Sequence, residues 1–411
     1  MRHTWFPLLY FSKGLSYITL MVFPIVLFKQ LGVSNSLITF YVSLLYIPWV
    51  LKPFWKSFLN NLWSYRKWIV VSHIFIGLSW GGFAFVLSST MNFYILLYLL
   101  GSIACFCGIN NWATDNYYKL NLEKSPHVWI FDARLLFYRL AMVFGQGFLI
   151  MMLGNFQVLF RNNTIYSWSI ICYIIAGIII LFSFLHLRYL PCSQKKQEIA
   201  PPKQLAEKYR NIFKSPQALL IGATILLFYI PEGLLSKVSF LFLLEPIYRG
   251  GIGLSPQEFG LIQGTIGVFA LMIGGLLGNK IFRKDNLSPR LWIIACAWIM
   301  PNIAYIYMAF SQPTNFFFLN CCIFIKQFGY GIAFIGWMQI INHINNIRTS
   351  YYLPRELSKA FIALGLMIPG LCSGSLLFKI GYQNFFIVVL FSCIASIVAL
   401  AVLKKKILLQ F

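Results

Sequence analysis

Hydrophobic runs of about twenty residues recur from Trp5 to Leu403, and they restrict the fold of this chain more than any other feature. A helix rises 1.5 Å per residue, so each run matches the roughly 30 Å of hydrocarbon in a bilayer. With 59% of its residues hydrophobic and 10% charged, the chain lacks the polar surface that a water-soluble core of 411 residues requires. The period-two alternation of a membrane β-barrel is absent. The expected fold class is an all-α membrane protein whose main partner is the lipid bilayer.

Twelve spans are predicted, over 5–29, 35–59, 68–88, 91–118, 129–153, 166–187, 216–240, 256–280, 291–310, 316–345, 357–378 and 384–403. The one sizeable polar break runs from Arg188 to Ser215 and carries Gln194-Lys195-Lys196-Gln197-Glu198 and Pro201-Pro202-Lys203. It divides the chain into an N-terminal six-helix bundle (1–187), a basic linker (188–215) and a C-terminal six-helix bundle with a basic tail (216–411). Arg2 stands where a signal peptide carries its basic residues, but the apolar stretch behind it is too long and no small-residue cleavage site follows. The first run is expected to remain as a span.

A formal charge of +23 raises the question of nucleic acid, and the distribution of that charge answers it. Of 33 Lys and Arg residues, 25 fall on the side of the termini, four on the other side (Lys29, Arg161, Arg249, Lys379) and four within spans (Lys13, Arg139, Lys237, Lys326). Such an excess marks cytoplasmic loops. Both termini, including Lys404-Lys405-Lys406, are therefore expected in the cytoplasm, with an even number of spans and no nucleic-acid partner.

Gly32-Val33-Ser34 opens the second span and Gly253-Leu254-Ser255 the eighth, and each following helix ends in basic residues, Lys52 and Lys56 or Lys280 and Arg283. Two halves of one plan joined by a basic linker are the sequence form of a transporter whose bundles rock about a site near the membrane midplane.

A charge at the bilayer centre costs about 2.5–3.5 kcal/mol on insertion scales, so ionisable residues inside spans mark a cavity or a partner. Glu232 lies in Tyr229-Ile230-Pro231-Glu232-Gly233 of the seventh span, where proline removes a donor and glycine loosens the turn, a pattern that predicts a broken helix. It reads either as a protonatable carboxylate coupled to transport or as a structural partner of Lys237 or of a basic residue on another span. Lys326 and Lys13 lie about ten residues into the tenth and first spans, too deep to snorkel. Each is expected to meet a carboxylate, a backbone carbonyl or an anionic substrate group. Lys326 and Tyr330 share a helical face, with Trp337 close to the same stripe.

In the fourth span Cys107, Asn111 and Asp115 occupy one face, with Asn110 and Thr114 beside it. Asp115 is a second candidate for proton coupling, or else a helix-end carboxylate paired with Lys119 or with basic residues of the fifth span. Asp132 and Arg134 are expected at the interface, while Arg139 is deep enough to pair with Asp115 or to meet substrate. The candidate proton-coupling residues are thus Glu232 and Asp115. The candidate substrate-binding residues are Lys13, Tyr17, Asn110, Asn111, Arg139, Lys326, Gln327, Tyr330 and Trp337.

His3, His73, His127, His186 and His343 are scattered, and the nine cysteines lie mostly in hydrophobic runs without zinc-like spacing. The cysteines are expected to be packing residues. No metal site, cofactor or nucleophile constellation emerges, which argues against a membrane enzyme.

Several segments carry a resemblance to a known family. They are Phe11-Ser12-Lys13-Gly14-Leu15, Tyr46-Ile47-Pro48-Trp49-Val50-Leu51-Lys52-Pro53-Phe54-Trp55, Pro231-Glu232-Gly233-Leu234-Leu235 and Phe328-Gly329-Tyr330-Gly331. The longest is Gly253-Leu254-Ser255-Pro256-Gln257-Glu258-Phe259-Gly260-Leu261-Ile262, followed by Gly264, Gly267 and Gly274-Gly275. In their order and spacing the chain resembles the AmpG-type muropeptide permeases and the related acetyl-coenzyme A transporter-like proteins of the major facilitator superfamily.

The resemblance implies twelve helices in two halves, with spans one, four, seven and ten lining a cavity. It also implies import of an anionic, sugar-containing cell-wall fragment across a bacterial inner membrane, driven by the proton gradient; separately, the chain is expected to act as a monomer. Two positions depart from the family. The loop after the second span, Asn60-Asn61-Leu62-Trp63-Ser64-Tyr65-Arg66-Lys67, lacks the usual acidic residue, and Asn111 replaces the first of two fourth-span acids. Two other readings stay open: a porter for another anionic metabolite, such as an acyl-coenzyme A, a nucleotide sugar or a siderophore product, and a membrane-embedded glycosyl or acyl transferase.

Overall fold

The computed structural model describes residues 5–89, 91–122, 128–161, 163–191, 207, 210–282, 290–346 and 353–405. Most of the predicted linker, His3, His127, Arg283 and Lys406 lie outside them, as do the side chains of Lys56, Asn60, Asn61 and Asp132. Among the described residues the regular structure is helical throughout.

The helices are α1 (Trp5–Gln30), α2 (Asn35–Trp55), α3 (Tyr65–Ser89), α4 (Phe93–Leu122), α5 (Arg134–Leu159), α6 (Thr164–Tyr189), α7 (Pro216–Leu244), α8 (Pro256–Phe282), α9 (Leu291–Ser311) and α10 (Phe316–Asn346). A last element, Arg355–Leu403, has 49 residues, more than twice the roughly 20 that a bilayer requires. Gly381 breaks it with φ 73° and ψ 171°, leaving α11 (355–380) and α12 (382–403). Among the described residues twelve spans result, and the loop expected at 379–383 is a kink centred on one glycine.

The repeated triplets adopt one conformation at both places. Gly32 and Gly253 take φ of 76° and 77°, in the left-handed region that glycine enters without steric cost. Ser34 and Ser255 then cap the next helix by accepting from Leu37 N and Glu258 N, satisfying a donor that a helix start leaves unpaired.

Local chemistry shapes the spans. Pro48 and Pro53 divide α2 into Asn35–Leu44, Ile47–Val50 and the start of Lys52–Leu62. Both α5 and α8 contain a π-helical stretch, Val143–Leu149 and Gly260–Ile266, and the two pack on each other across the halves. Gln146 Nε2 donates to Gln263 O at 3.2 Å there. The backbones approach closely because Gly264 has no side chain: a Cβ on it would fall 2.3 Å from Gln146 O. In the other cross-half seam α2 lies against α11, and Gly374 N donates to Thr39 Oγ1 at 3.1 Å. Small residues at both seams allow the close backbone approach typical of membrane helices.

One expectation is corrected. Pro231 does not break α7, which runs continuously from Pro216 to Leu244. The missing donor removes a single backbone bond, and packing of α7 against α11 and α12 holds the helix through it.

The exterior is apolar. Phe378 is 86% exposed and Tyr94 79%, a surface that lipid covers and water would not. With twelve spans, Trp5 and Leu403 share one end of the bundle, here called the terminal face; the other end is the opposite face.

Candidate functional site

Midway along the bundle, α7 and α10 bring Glu232 and Lys326 together with 3.3 Å between Oε2 and Nζ. Lys326 Nζ also lies 5.3 Å from the centroid of the Tyr330 ring, one helical turn further along α10. Tyr330 stacks on Trp298 of α9. Facing them from the N-terminal half are Tyr17 of α1, whose hydroxyl is 3.5 Å from that of Tyr46 of α2, and Trp49, edge-on to Tyr17. Arg139 of α5 follows Tyr138, whose ring centroid lies 6.4 Å from that of Tyr17, and so belongs to the same layer. Its Nη1 contacts Met142 Sδ at 3.1 Å, and no carboxylate pairs with it among the described residues. Ionisable side chains inside a membrane face a cavity or a partner.

Toward the terminal face, three lysines converge on Asp115 of α4. Lys13 of α1 is 2.5 Å away, Lys359 of α11 2.7 Å and Lys52 of α2 3.8 Å. Lys52, 1% exposed, also reaches Glu356 of α11 at 3.5 Å and donates to Asn111 Oδ1 at 3.4 Å. Two of these contacts, Lys359 to Asp115 and Lys52 to Glu356, join the halves.

At the opposite face the halves are joined by Glu245, which ends α7 and is 3% exposed. It accepts from Lys29 at the end of α1, from Asn35 Nδ2 at the start of α2 (2.8 Å) and from Tyr382 at the start of α12 (3.0 Å). Arg249 lies 3.8 Å from its other oxygen. Burial pushes this carboxyl up, but the bonds from Asn35, Lys29 and Tyr382 outweigh it and hold Glu245 below its ordinary range.

The predicted residues thus separate into groups. Lys326, Tyr330, Glu232, Tyr17 and Arg139 meet in the midplane layer. Lys13 and Asn111 belong to the Asp115 network instead, and the partners of Asp115 are Lys13, Lys359 and Lys52 rather than Lys119 or Arg139. Asn110 turns inward to α3, bonding Ser72 Oγ at 2.8 Å. Gln327 lies against α8 near Gly267. Trp337 is fully buried, stacked face to face on Phe228 at 3.8 Å, and lines a small apolar hollow with Ile221, Ile340 and Leu403 inside the C-terminal half.

Sequence reasoning missed Glu245, Lys359 and Glu356, whose positions at helix ends carry no signal of a partner. It also missed His73 and His186, which are fully buried with ring centroids 5.0 Å apart between α3 and α6. Among the described residues no group of three or more His, Cys, Asp or Glu is arranged to hold a metal.

Known proteins share this architecture and sequence. The crystal structure of the nucleoside transporter NupG matches with a TM-score of 0.73 at 14% identity, over 98% of this chain and 98% of that one. A structure of a proton-dependent oligopeptide transporter matches with a TM-score of 0.67 at 12% identity, over 97% of each chain. Both likenesses are of fold alone. A Rickettsia conorii protein named "Putative transporter AmpG 4" is 21% identical over 403 residues, covering 92% of this chain and 91% of that protein. Its Rickettsia felis namesake is 24% identical over 206 residues, so the match spans 48% of this chain and only 46% of the relative. The family described as Major Facilitator Superfamily matches residues 8–352. The chain therefore belongs to the Major Facilitator Superfamily, and it is a multi-pass membrane transporter rather than an enzyme.

Proposed function

We propose that this transporter is a proton-coupled importer working by alternating access in a bacterial inner membrane, with both termini cytoplasmic. Its substrate is an anionic, sugar-containing metabolite, and a muropeptide from cell-wall turnover fits best. The observation that carries this reading is the midplane layer, in which Glu232 pairs with Lys326 while Arg139, near Tyr138 and Tyr17, has no carboxylate partner among the described residues. Arg139 suits a carboxylate, and the surrounding rings suit the faces of a sugar. A proton on Glu232 removes its hold on Lys326 and leaves that ammonium available to a second anionic group. Asp115, surrounded by three lysines, is assigned to closure of the terminal face rather than to proton transfer. The AmpG names of the relatives add support for the substrate class.

The test is uptake of radiolabelled muropeptide into proteoliposomes with and without an imposed proton gradient. Accumulation is expected only with the gradient, and gradient-independent accumulation rules out the coupling. Glu232→Gln is expected to abolish driven uptake at unchanged expression. Arg139 recognises charge rather than sugar, so acyl-coenzyme A and nucleotide sugars belong in the competition series; displacement by these and not by muropeptides assigns a different anionic substrate.

A further inference from the structure

We infer that Lys237 is a positioning residue that couples the charge of Glu232 to closure of the opposite face. The inference rests on the alternating-access reading. Lys237 lies five residues beyond Glu232 on α7, about 7.5 Å along the helix axis, and it is 3% exposed. Its ammonium donates to Leu366 O of α11 at 3.0 Å and sits 4.9 Å from the centroid of the Tyr46 ring on α2. Among the described residues it has no carboxylate within ion-pair distance. The space for it is built by absence: a Cβ on Gly370 of α11 would fall 2.5 Å from Lys237 Nζ and 2.5 Å from Ser43 Oγ of α2. The ammonium is therefore lodged in the seam where α2 of one half meets α7 and α11 of the other.

The charged and titratable groups around it are few. From α7 there is Glu232, whose charge acts on Lys237. From α2 there is Tyr46, which is bonded to Tyr17 of α1; from α11 the contact is a backbone carbonyl. Lys326 and Tyr330 of α10 stand behind Glu232. In a low-dielectric seam an ammonium held by one carbonyl and one ring depends on its nearest negative charge. While Glu232 is anionic, that charge is supplied along the helix and Lys237 stays under Tyr46. When Glu232 is neutral the compensation is gone, and water becomes the better partner. Water reaches Lys237 only when α2 draws away from α11, so neutralising Glu232 favours opening of this face.

The experiment places spin labels at Leu37 of α2 and Phe378 of α11, both exposed, in the full-length protein with its native cysteines replaced and reconstituted in lipid nanodiscs. Pulsed EPR distances then report the open population without substrate. Glu232→Gln is expected to raise that population roughly tenfold, to do nothing further in a Lys237→Met background, and to act fully in a Lys237→Arg background. Gly370→Ala, which crowds the ammonium while keeping its charge, is expected to open the face by itself. Equal opening by Glu232→Gln with and without Lys237→Met overturns the inference, as does a face unchanged by both Glu232→Gln and Gly370→Ala. Uptake assays on the same variants separate this from the coupling reading: driven uptake surviving in Glu232→Gln overturns proton coupling at Glu232, whereas only the label distances bear on Lys237.

Discussion

Lys359 of α11 extends to Asp115 of α4 and places its ammonium 2.7 Å from Oδ2, joining the two halves at the terminal face. Asp115 is 17% exposed and Lys359 50%, so the two partners contribute unequally. Removing the carboxylate leaves Lys13 without its ion-pair partner and Lys52 with Glu356 and the Asn111 amide, both in buried positions. Asp115→Asn is expected to destabilise the protein by about 3 kcal/mol, the scale of an uncompensated buried charge. Lys359→Met removes a solvent-screened partner and is expected to cost about 0–1 kcal/mol. Thermal unfolding in detergent measures both, and equal losses rule out Asp115 as the centre of the network.

Closure of the opposite face should depend on acid through Glu245. Its folded value lies below the ordinary 4.5 because Asn35, Lys29 and Tyr382 together overcome the effect of burial. A depressed carboxylate contributes stability above its unfolded range and loses it as pH falls through the folded value. The wild-type protein is therefore expected to lose thermal stability on acidification from about pH 6 to pH 3, and Glu245→Gln to lose less. The measurement is the unfolding temperature across that interval; parallel curves for the two proteins dismiss Glu245 as the titrating group.

The π-helical crossing of α5 and α8 sets a steric limit. A Cβ on Gly264 would meet Gln146 O and Gly147 Cα at 2.3 Å, and both are backbone atoms that cannot swing aside. Gly264→Ala is expected to force the seam apart at a cost of about 1–3 kcal/mol, the usual scale of overpacking. Gly101, where added atoms meet nothing within 4 Å, is the control. Gly101→Ala should be neutral or slightly stabilising in the same unfolding assay.

Membrane topology was legible because lipid imposes length and hydropathy on every span, and because serine caps and left-handed glycines mark Gly32-Val33-Ser34 and Gly253-Leu254-Ser255. The midplane pairing of Glu232 with Lys326 was open as one of several partners, since insertion cost says that a buried charge needs company but not whose. What stayed hidden is long-range. Glu245 and Asn35 are 210 positions apart and Asp115 and Lys359 are 244, and no local pattern records such a meeting. Helical periodicity also left the surroundings of Trp337 open, because it places a residue on a stripe without saying which neighbour that stripe faces. Here the neighbour is Phe228 within the core.

Arg139 supplies the sharpest test of substrate charge. It lies in the midplane layer, touches Met142 Sδ and has no carboxylate partner among the described residues, so its replacement breaks no ion pair there. Arg139→Gln should fold and express as the wild type does, while losing the charge-assisted bonds that a substrate carboxylate would make. Such bonds contribute about 1.5–3 kcal/mol each, equivalent to roughly 10- to 150-fold in affinity. Arg139→Lys keeps the charge but not the planar fork, and should recover part of that loss. The assay is competition for labelled-substrate uptake by a carboxylate ligand and by its neutral amide. Wild-type protein is expected to prefer the carboxylate and Arg139→Gln to bind both alike; an unchanged preference in Arg139→Gln would place the anion site elsewhere, with Lys326 the next residue to examine.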